Sequence, residues 1–206
     1  MTDSPESTSR RRERISYGGG REALLRAAVR VVARGGLRKL TYRAVAEEAG
    51  VTHGLVVHHF GSRDALIAEA LAHSVRESIG STFEALGEES EGMMIGLSAM
   101  VEADPDIQAF QYELLLEARR RPELRPHIQQ LYAEYFGATE RELTRMLPKG
   151  ATPALTQLVF SALDGLVLRQ LTLGGAENTD AALDELRGLL RAVQKAQQED
   201  EEPASK

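Results

Sequence analysis

The sequence predicts an all-α fold, with an N-terminal three-helix head followed by a larger helical body. Apolar residues recur at intervals of three and four along most of the 206-residue chain, which is the period of an amphipathic helix. Beyond Ser81, no stretch alternates apolar and polar residues as a half-buried strand would. Glycine and proline clusters divide that region into segments of helical length. These observations favour packed helices over a fold that contains a sheet.

The first predicted helix covers residues 21–34. Its apolar stripe comprises Leu24, Ala28, Val31 and Val32, and a pair of glycines at 35–36 ends it. We expect this helix to pack behind the two that follow.

Residues 1–20 precede that helix and are rich in Ser, Arg and Gly. Arginines cluster at positions 10, 11, 12 and 14, and the three glycines at 18–20 predict a flexible joint. We therefore predict a flexible basic arm. It either lays its arginines on phosphates or in a minor groove, or is a solvated tail without a fixed partner.

Two short helices joined by a glycine come next. Thr41 is a predicted N-cap for a helix over residues 42–49, because its hydroxyl can accept a hydrogen bond from a free first-turn N–H. Gly50 lies at the turn, where a positive φ favours a residue without a Cβ. Thr52 is a second predicted N-cap, for a helix over residues 53–60.

A third capped helix follows at once. Val56 and Phe60 lie four residues apart and would share the core face of the helix before it. Ser62 is the next N-cap, with Asp64 in the first turn. The apolar residues of the new helix are Leu66, Ile67, Ala70, Leu71, Val75, Ile79 and Phe83. This order of elements is a helix-turn-helix, whose second helix fits the major groove of DNA.

At these residues the chain resembles the TetR family of bacterial transcriptional regulators. The resemblance covers residues 21–71 and rests on Thr41, Arg43, Ala46, Ala49, Gly50, Val51, Gly54, Val57, His58, His59, Phe60 and Arg63. The family usually has Tyr at the place of Val57, where the hydroxyl commonly binds a phosphate. It usually has Lys at the place of Arg63, so the charge is preserved there.

The resemblance, with side-chain chemistry, implies the DNA-contacting residues. Predicted base contacts come from Arg43, His53 and His58. Predicted phosphate contacts come from Thr41, Tyr42, Thr52, His59 and Arg63. Gly54 would allow close backbone approach, and Leu55 or Val57 could touch a thymine methyl. The alternative for the histidines is a metal site, but adjacent His58 and His59 diverge on a helix and no carboxylate is spaced to complete the ligand set.

Charge is divided unevenly along the chain. The net charge is −6, yet residues 1–64 carry 12 Lys and Arg against 7 Asp and Glu, while the rest carries 13 against 24. Such asymmetry suits a protein of which one end approaches phosphates. Cysteine is absent, which excludes disulfides and thiolate metal sites. Because no apolar run approaches about 18 residues and no signal-like segment is visible, a cytoplasmic location without a membrane partner is expected.

Four regions are predicted from these patterns. They are the arm at 1–20, a helix-turn-helix DNA-binding domain at 21–66, a ligand-binding and dimerisation domain at 67–197, and an acidic tail at 198–206. Helices of the body are predicted at 93–102, 106–120, 123–146, 152–171 and 179–197, with a break at 173–179.

A sensing site in the body is implied by the resemblance. Apolar candidates for its lining are Met93, Met94, Met100, Phe110, Tyr112, Tyr132, Phe136 and Phe160. Polar candidates are Glu113, Glu117, Arg119 and Asp164. The alternatives are an ordinary core for the first set and a solvated or ion-paired surface for the second.

A homodimer interface is implied for the last two helices. Its predicted residues are Leu158, Ser161, Ala162, Gly165 and Leu168 on the first, and Leu183, Leu186, Leu190 and Val193 on the second. The periodicity itself indicates only amphipathic helices, so an intramolecular core is the alternative.

The resemblance implies a repressor that binds a palindromic double-stranded DNA operator as a homodimer and is released by an unknown small-molecule effector. No cofactor is expected. An activator of the same fold and a helical protein-binding adaptor are the alternatives. An enzyme is disfavoured, because the sequence has no Glu-x-x-His pair, no phosphate-binding loop and no cysteine nucleophile.

Overall fold

All secondary structure in residues 17–84 and 96–199, the part that this computed structural model describes, is helical, as predicted. Nine α-helices follow one another in this part of the chain. They are α1 (Tyr17–Gly35), α2 (Tyr42–Ala49), α3 (His53–Phe60), α4 (Arg63–Glu84), α5 (Leu97–Ala103), α6 (Pro105–Glu117), α7 (Arg125–Met146), α8 (Pro153–Leu173) and α9 (Ala176–Glu199). Short 3-10 turns at Leu37–Lys39 and Pro122–Leu124 precede α2 and α7.

The helix-turn-helix has the predicted bounds, because local capping sets them. The Thr41 hydroxyl accepts a hydrogen bond from the Ala44 N–H at 3.1 Å. Gly50 adopts φ 66°, and its N–H bonds the carbonyls of the last turn of α2. Thr52 stands at the N-cap of α3, but its side chain makes no capping hydrogen bond, so that detail of the prediction was wrong. Its backbone carbonyl accepts from Leu55 N–H instead, at 3.1 Å.

One hydrophobic core joins the head to the first half of the body. Leu24 of α1, Val56 of α3 and Ile67 of α4 pack in the same cluster as Phe110 of α6 and Leu131 of α7. Helix α4 runs without a break through residues 66 and 67, where the boundary between two domains was predicted. Any tilt of the body against α1 or α4 would therefore displace residues of the head.

An ion pair reinforces this junction. The Arg34 guanidinium on α1 donates to the Asp106 carboxylate on α6 at 2.8 and 3.1 Å.

A second core holds the C-terminal half together. It contains Leu97 and Val101 of α5, Leu143 of α7, Val159, Leu163 and Val167 of α8, and Leu183 and Leu190 of α9. Helices α8 and α9 therefore use one side each for the chain's own core.

Several helix ends differ from the prediction. Helix α1 begins at Tyr17, so the glycines at 18–20 lie in its first turn and form no joint. Glycine lowers helix propensity by about 1 kcal/mol per residue but does not forbid the conformation. The break predicted at 173–179 is confined to Gly174 and Gly175, with φ 71° and 85°, because α9 already begins at Ala176.

Some predictions fall on residues 1–16, 85–95 and 200–206, which lie outside the described residues. These are the arginine cluster of the arm, Met93 and Met94, the start of the helix predicted at 93–102, and most of the acidic tail. No helix in the described ranges is long and apolar enough to cross a membrane.

Candidate functional site

The outer side of α2 and α3 presents most of the predicted DNA-contacting residues. Arg43, His53 and His58, the predicted base readers, are exposed, whereas Val56 and Phe60 of α3 are buried in the head core. Thr41, Thr52 and Val57 are also exposed, and Leu55 and His59 are half-buried. A Cβ added to exposed Gly54 would meet nothing within 4 Å, so the backbone of α3 is open to close approach there.

Tyr42 differs from its predicted role. Its hydroxyl is enclosed and has no hydrogen-bond partner among the described residues, so it is not presented to a phosphate. Its ring packs edge-to-face on His53, with centroids 5.9 Å apart. Tyr42 therefore positions the start of α3 against the start of α2.

Arg63 also has a structural role that the sequence did not indicate. Its Nε donates to the Leu40 carbonyl at 3.0 Å and its Nη2 to the Leu37 carbonyl at 2.7 Å. These bonds tie the start of α4 to the turn that leads into α2. Only part of the guanidinium is left for an external phosphate.

A basic groove lies beside this turn. Its volume is about 480 Å³, and Arg38, Thr41, Tyr42, Arg63 and Arg121 contribute to its walls. Arg121 comes from the loop after α6, so the body supplies a cation next to the head. Sequence reasoning missed Arg38 and Arg121, because isolated arginines in loops resemble ordinary surface residues.

A second site lies inside the body. An apolar cavity of about 90 Å³ is lined by residues of α4 to α8. Its lining residues are Ser78, Leu97, Met100, Gln108, Gln111, Tyr112, Leu131, Tyr132, Tyr135, Ala138, Thr139, Phe160, Leu163, Asp164 and Val167. Of the predicted lining, Met100, Tyr112, Tyr132, Phe160 and Asp164 are placed here.

Four other predicted ligand residues were wrong. Phe110 is fully buried in the core that joins head and body. Glu113 lies beside Gly36 at the end of α1. Glu117 is ion-paired with Arg120 and Arg121 at 2.7 and 3.3 Å.

Phe136 is the fourth. It is half-buried on α7, but it is not among the residues that line the cavity. Arg119, the remaining polar candidate, is exposed and lies outside the cavity.

Asp164 is the central polar group of the cavity. Its Oδ1 accepts a hydrogen bond from the Tyr112 hydroxyl at 2.8 Å, and its Oδ2 lies 3.4 Å from the Tyr132 hydroxyl. Burial raises the pKa of the Asp164 carboxyl, and the two tyrosine hydrogen bonds act in the opposite sense. Burial and the neighbouring Asp164 charge raise the pKa of both tyrosines, which therefore stay neutral.

A buried polar relay connects the cavity to α4. Gln108 Nε2 donates to Ser78 Oγ at 3.0 Å, and Gln111 Nε2 donates to Ser74 Oγ at 3.1 Å. The Tyr135 hydroxyl donates to Gln111 Oε1 at 3.0 Å. Helix α4 follows α3 after only two residues, so a shift of α4 would also move α3.

The predicted dimer residues divide into two groups. On α8, Leu158 is 67% exposed and Leu168 43%, and Ser161, Ala162 and Gly165 between them are exposed too. On α9, Leu183 and Leu190 are 1% and 2% exposed, so the prediction that they contact a partner was wrong. They belong to the chain's own core.

Leu186 and Val193 of α9 pack on the same core and are half-buried. Leu189, the residue before buried Leu190, is 65% exposed. Gly188 and Ala192 are exposed beside it. We call Leu158, Ser161, Ala162, Gly165 and Leu168, with Gly188, Leu189 and Ala192, the outer face of α8 and α9.

Comparison with known proteins finds a family match for each of the two parts of the chain. Residues 24–70 match the family described as bacterial regulatory proteins, tetR family, and residues 88–192 match the tetracyclin repressor-like C-terminal domain. The HTH-type transcriptional regulator BetI of Burkholderia thailandensis is 28% identical over 174 residues, which cover 79% of this chain and 87% of BetI.

Solved structures show the same fold. A TetR-family transcriptional regulator from Rhodococcus sp. superposes with a TM-score of 0.68 at 23% identity, covering 85% of this chain and 98% of the other. The multidrug binding protein EbrR complexed with imidazole has a TM-score of 0.57 at 27% identity, covering 81% of this chain and 93% of EbrR. The chain therefore belongs to the TetR family and is a DNA-binding transcriptional regulator rather than an enzyme.

Proposed function

We propose that this regulator is a repressor that binds a palindromic operator as a homodimer and is released when a small molecule enters the cavity. The polar relay carries this proposal. Ser74 and Ser78 of α4 bond Gln111 and Gln108, which line or border the cavity, and α4 leads directly back to α3. Its place of action would be the cytoplasm, where the bacterial chromosome lies.

The proposed mechanism is a linkage between two sites. A ligand that binds better to a body conformation with displaced heads lowers operator affinity, and the shift is limited by its differential affinity for the two conformations. Ligand atoms near Gln108 or Gln111 would compete for the hydrogen bonds that these amides make to α4. The EbrR structures with imidazole and with ethidium support a ligand in this fold.

The outer face of α8 and α9 supports the proposed homodimer. A Cβ added to Gly165 or Gly188 would meet nothing within 4 Å, so both helices offer small residues to an approaching surface. Exposed Leu158, Leu168 and Leu189 would lose their contact with water in a two-fold interface. Two heads related by such an axis match a palindrome whose half-sites lie about one helical turn, or a multiple of it, apart.

Selection from a random pool of DNA duplexes tests the proposal. The purified, ligand-free protein is expected to enrich a palindrome at near-physiological salt. A promoter that carries this motif should be silenced by the protein in a reporter strain. If the folded protein enriched no motif, or if it activated the reporter, the proposed repressor would be contradicted.

Arg43→Ala is expected to relax base preference at one position of each half-site. Arg43 is exposed on α2, and a guanidinium that bonds a guanine edge contributes about 1–3 kcal/mol of discrimination. Selection repeated with the variant should give the same motif with that one position degenerate. An unchanged motif would remove Arg43 from base recognition.

Arg63→Ala provides the contrast. It is expected to weaken binding to all sequences and to lower the free energy of unfolding, because the variant lacks both bonds to the Leu37 and Leu40 carbonyls. Titration of operator and random DNA should give equal losses. A loss confined to the operator would assign Arg63 to base reading.

A further inference from the structure

The partly buried carboxylate of Asp164 differs from that of Glu142, which is the buried carboxylate of the described chain. The Glu142 side chain is 7% exposed and is ion-paired with Arg145 at 2.6 Å. Asp164 instead meets two neutral hydroxyls, those of Tyr112 and Tyr132. A buried carboxylate is costly unless an opposite charge compensates it. The fold supplies such a charge to Glu142 and leaves it out at Asp164.

No cation among the described residues stands in the cavity. The described residues that line it include one carboxylate and no Lys, Arg or His. The sequence from 79 to 95, which includes the end of α4, also has no Lys, Arg or His. A bound cation would therefore be the counter-charge of the Asp164 carboxylate.

The walls beside Asp164 are aromatic. Tyr132 and Phe160 have ring centroids 5.5 Å apart and planes at 84°, so they form two walls nearly at right angles. Tyr112 adds a third ring from α6. The face of an aromatic ring attracts a cation, most strongly where water is excluded, and cages of this kind bind alkylated ammonium groups. An anionic ligand would meet no Lys, Arg or His side chain among these lining residues.

The volume limits the ligand's size. A site needs roughly 15 Å³ per water-sized sphere, so about 90 Å³ holds roughly six such spheres. We propose that the cavity binds a small organic cation whose ammonium group lies against the Asp164 carboxylate and in the corner that the rings of Tyr132 and Phe160 form. This inference rests on the proposed function only for the consequence of binding, because the site itself is defined by these contacts.

A pair of isosteric probes separates charge from shape. Tetramethylammonium and tert-butanol have the same branched shape and the same number of non-hydrogen atoms, but only the first is charged. Calorimetric titration of the full-length protein at pH 8 should give a dissociation constant at least about tenfold lower for tetramethylammonium. Equal affinity for both probes, or no binding of tetramethylammonium, would overturn the inference.

Variants then assign the preference to Asp164. Asp164→Asn keeps an acceptor for the Tyr112 hydroxyl and removes the charge, so tetramethylammonium affinity should fall about tenfold while tert-butanol affinity stays within about twofold. Glu142→Gln is the matched control and should retain the wild-type ratio of the dissociation constants for tetramethylammonium and tert-butanol. Circular dichroism verifies the fold of both variants. If Asp164→Asn kept the wild-type ratio of the dissociation constants for the two probes, the assignment to Asp164 would be overturned. The comparison of the two probes on the unmodified protein tests the charge preference independently of any variant.

Operator release is measured separately, by fluorescence anisotropy of labelled operator. Release by tetramethylammonium but not by tert-butanol supports both the cation site and the proposed function. Calorimetric binding without release supports the cation site and counts against the proposed function. Release by tert-butanol at equal concentration supports the proposed function and overturns the cation site.

Discussion

Leu158→Glu combined with Leu168→Glu is expected to convert the proposed dimer into a folded monomer that loses about a hundredfold to ten-thousandfold of its operator affinity. Both leucines are exposed on α8, so the substitutions leave the chain's own core intact. In a two-fold interface they would bury four carboxylates without partners, which strongly opposes association. A monomer presents one head and forfeits the gain from binding two half-sites together. Analytical ultracentrifugation and operator titration measure the two effects.

Leu116→Glu is the control for this variant. Leu116 is 58% exposed but belongs to α6 and is not part of the outer face of α8 and α9. It should leave both the mass in solution and the operator affinity unchanged. A dimeric Leu158→Glu/Leu168→Glu protein, or a monomeric Leu116→Glu protein, would place the interface elsewhere.

Phe110→Ala is expected to lower the free energy of unfolding by about 3–5 kcal/mol. The Phe110 side chain is fully buried in the core shared by α1, α3, α4 and α6, and its removal leaves a cavity that the packed helices cannot fill. At roughly 2–4 °C per kcal/mol for a chain of this size, Tm should fall by about 6–20 °C. Chemical and thermal denaturation, followed by circular dichroism, provide both values.

Phe160→Ala is the matched comparison, because the same atoms are removed from a residue that is only half-buried and borders a void. Its loss of stability should be clearly smaller, and its main effect should be weaker binding of tetramethylammonium. Equal losses in the two variants would contradict the distinction between core Phe110 and cavity-lining Phe160.

The helix-turn-helix was predictable because its determinants are local. The cap at Thr41 is formed with Ala44, and the left-handed turn at Gly50 bonds carbonyls three and four residues earlier. Such interactions are complete within one turn of chain, so residue order is enough to place them. For the same reason α2 and α3 have the predicted bounds.

The ligand cavity was only partly predictable. Apolar periodicity selects aromatic residues of the body, but it cannot separate Phe110 in the core from Phe160 at the cavity, since both lie on buried sides of helices. Gln108 and Gln111 gave no sequence signal, because their partners Ser78 and Ser74 lie on another helix, 30 and 37 residues away.

The sequence by itself determined the all-α class, the helix-turn-helix with its exposed Arg43, His53 and His58, and the amphipathic nature of the body. Tertiary packing decided which side of each helix was buried. It took Leu183 and Leu190 into the chain's own core and left Leu189 outside. It also brought Tyr112 and Tyr132 to Asp164 from positions 52 and 32 residues away. Capping depends on neighbours in sequence, whereas burial and charge compensation depend on neighbours in space.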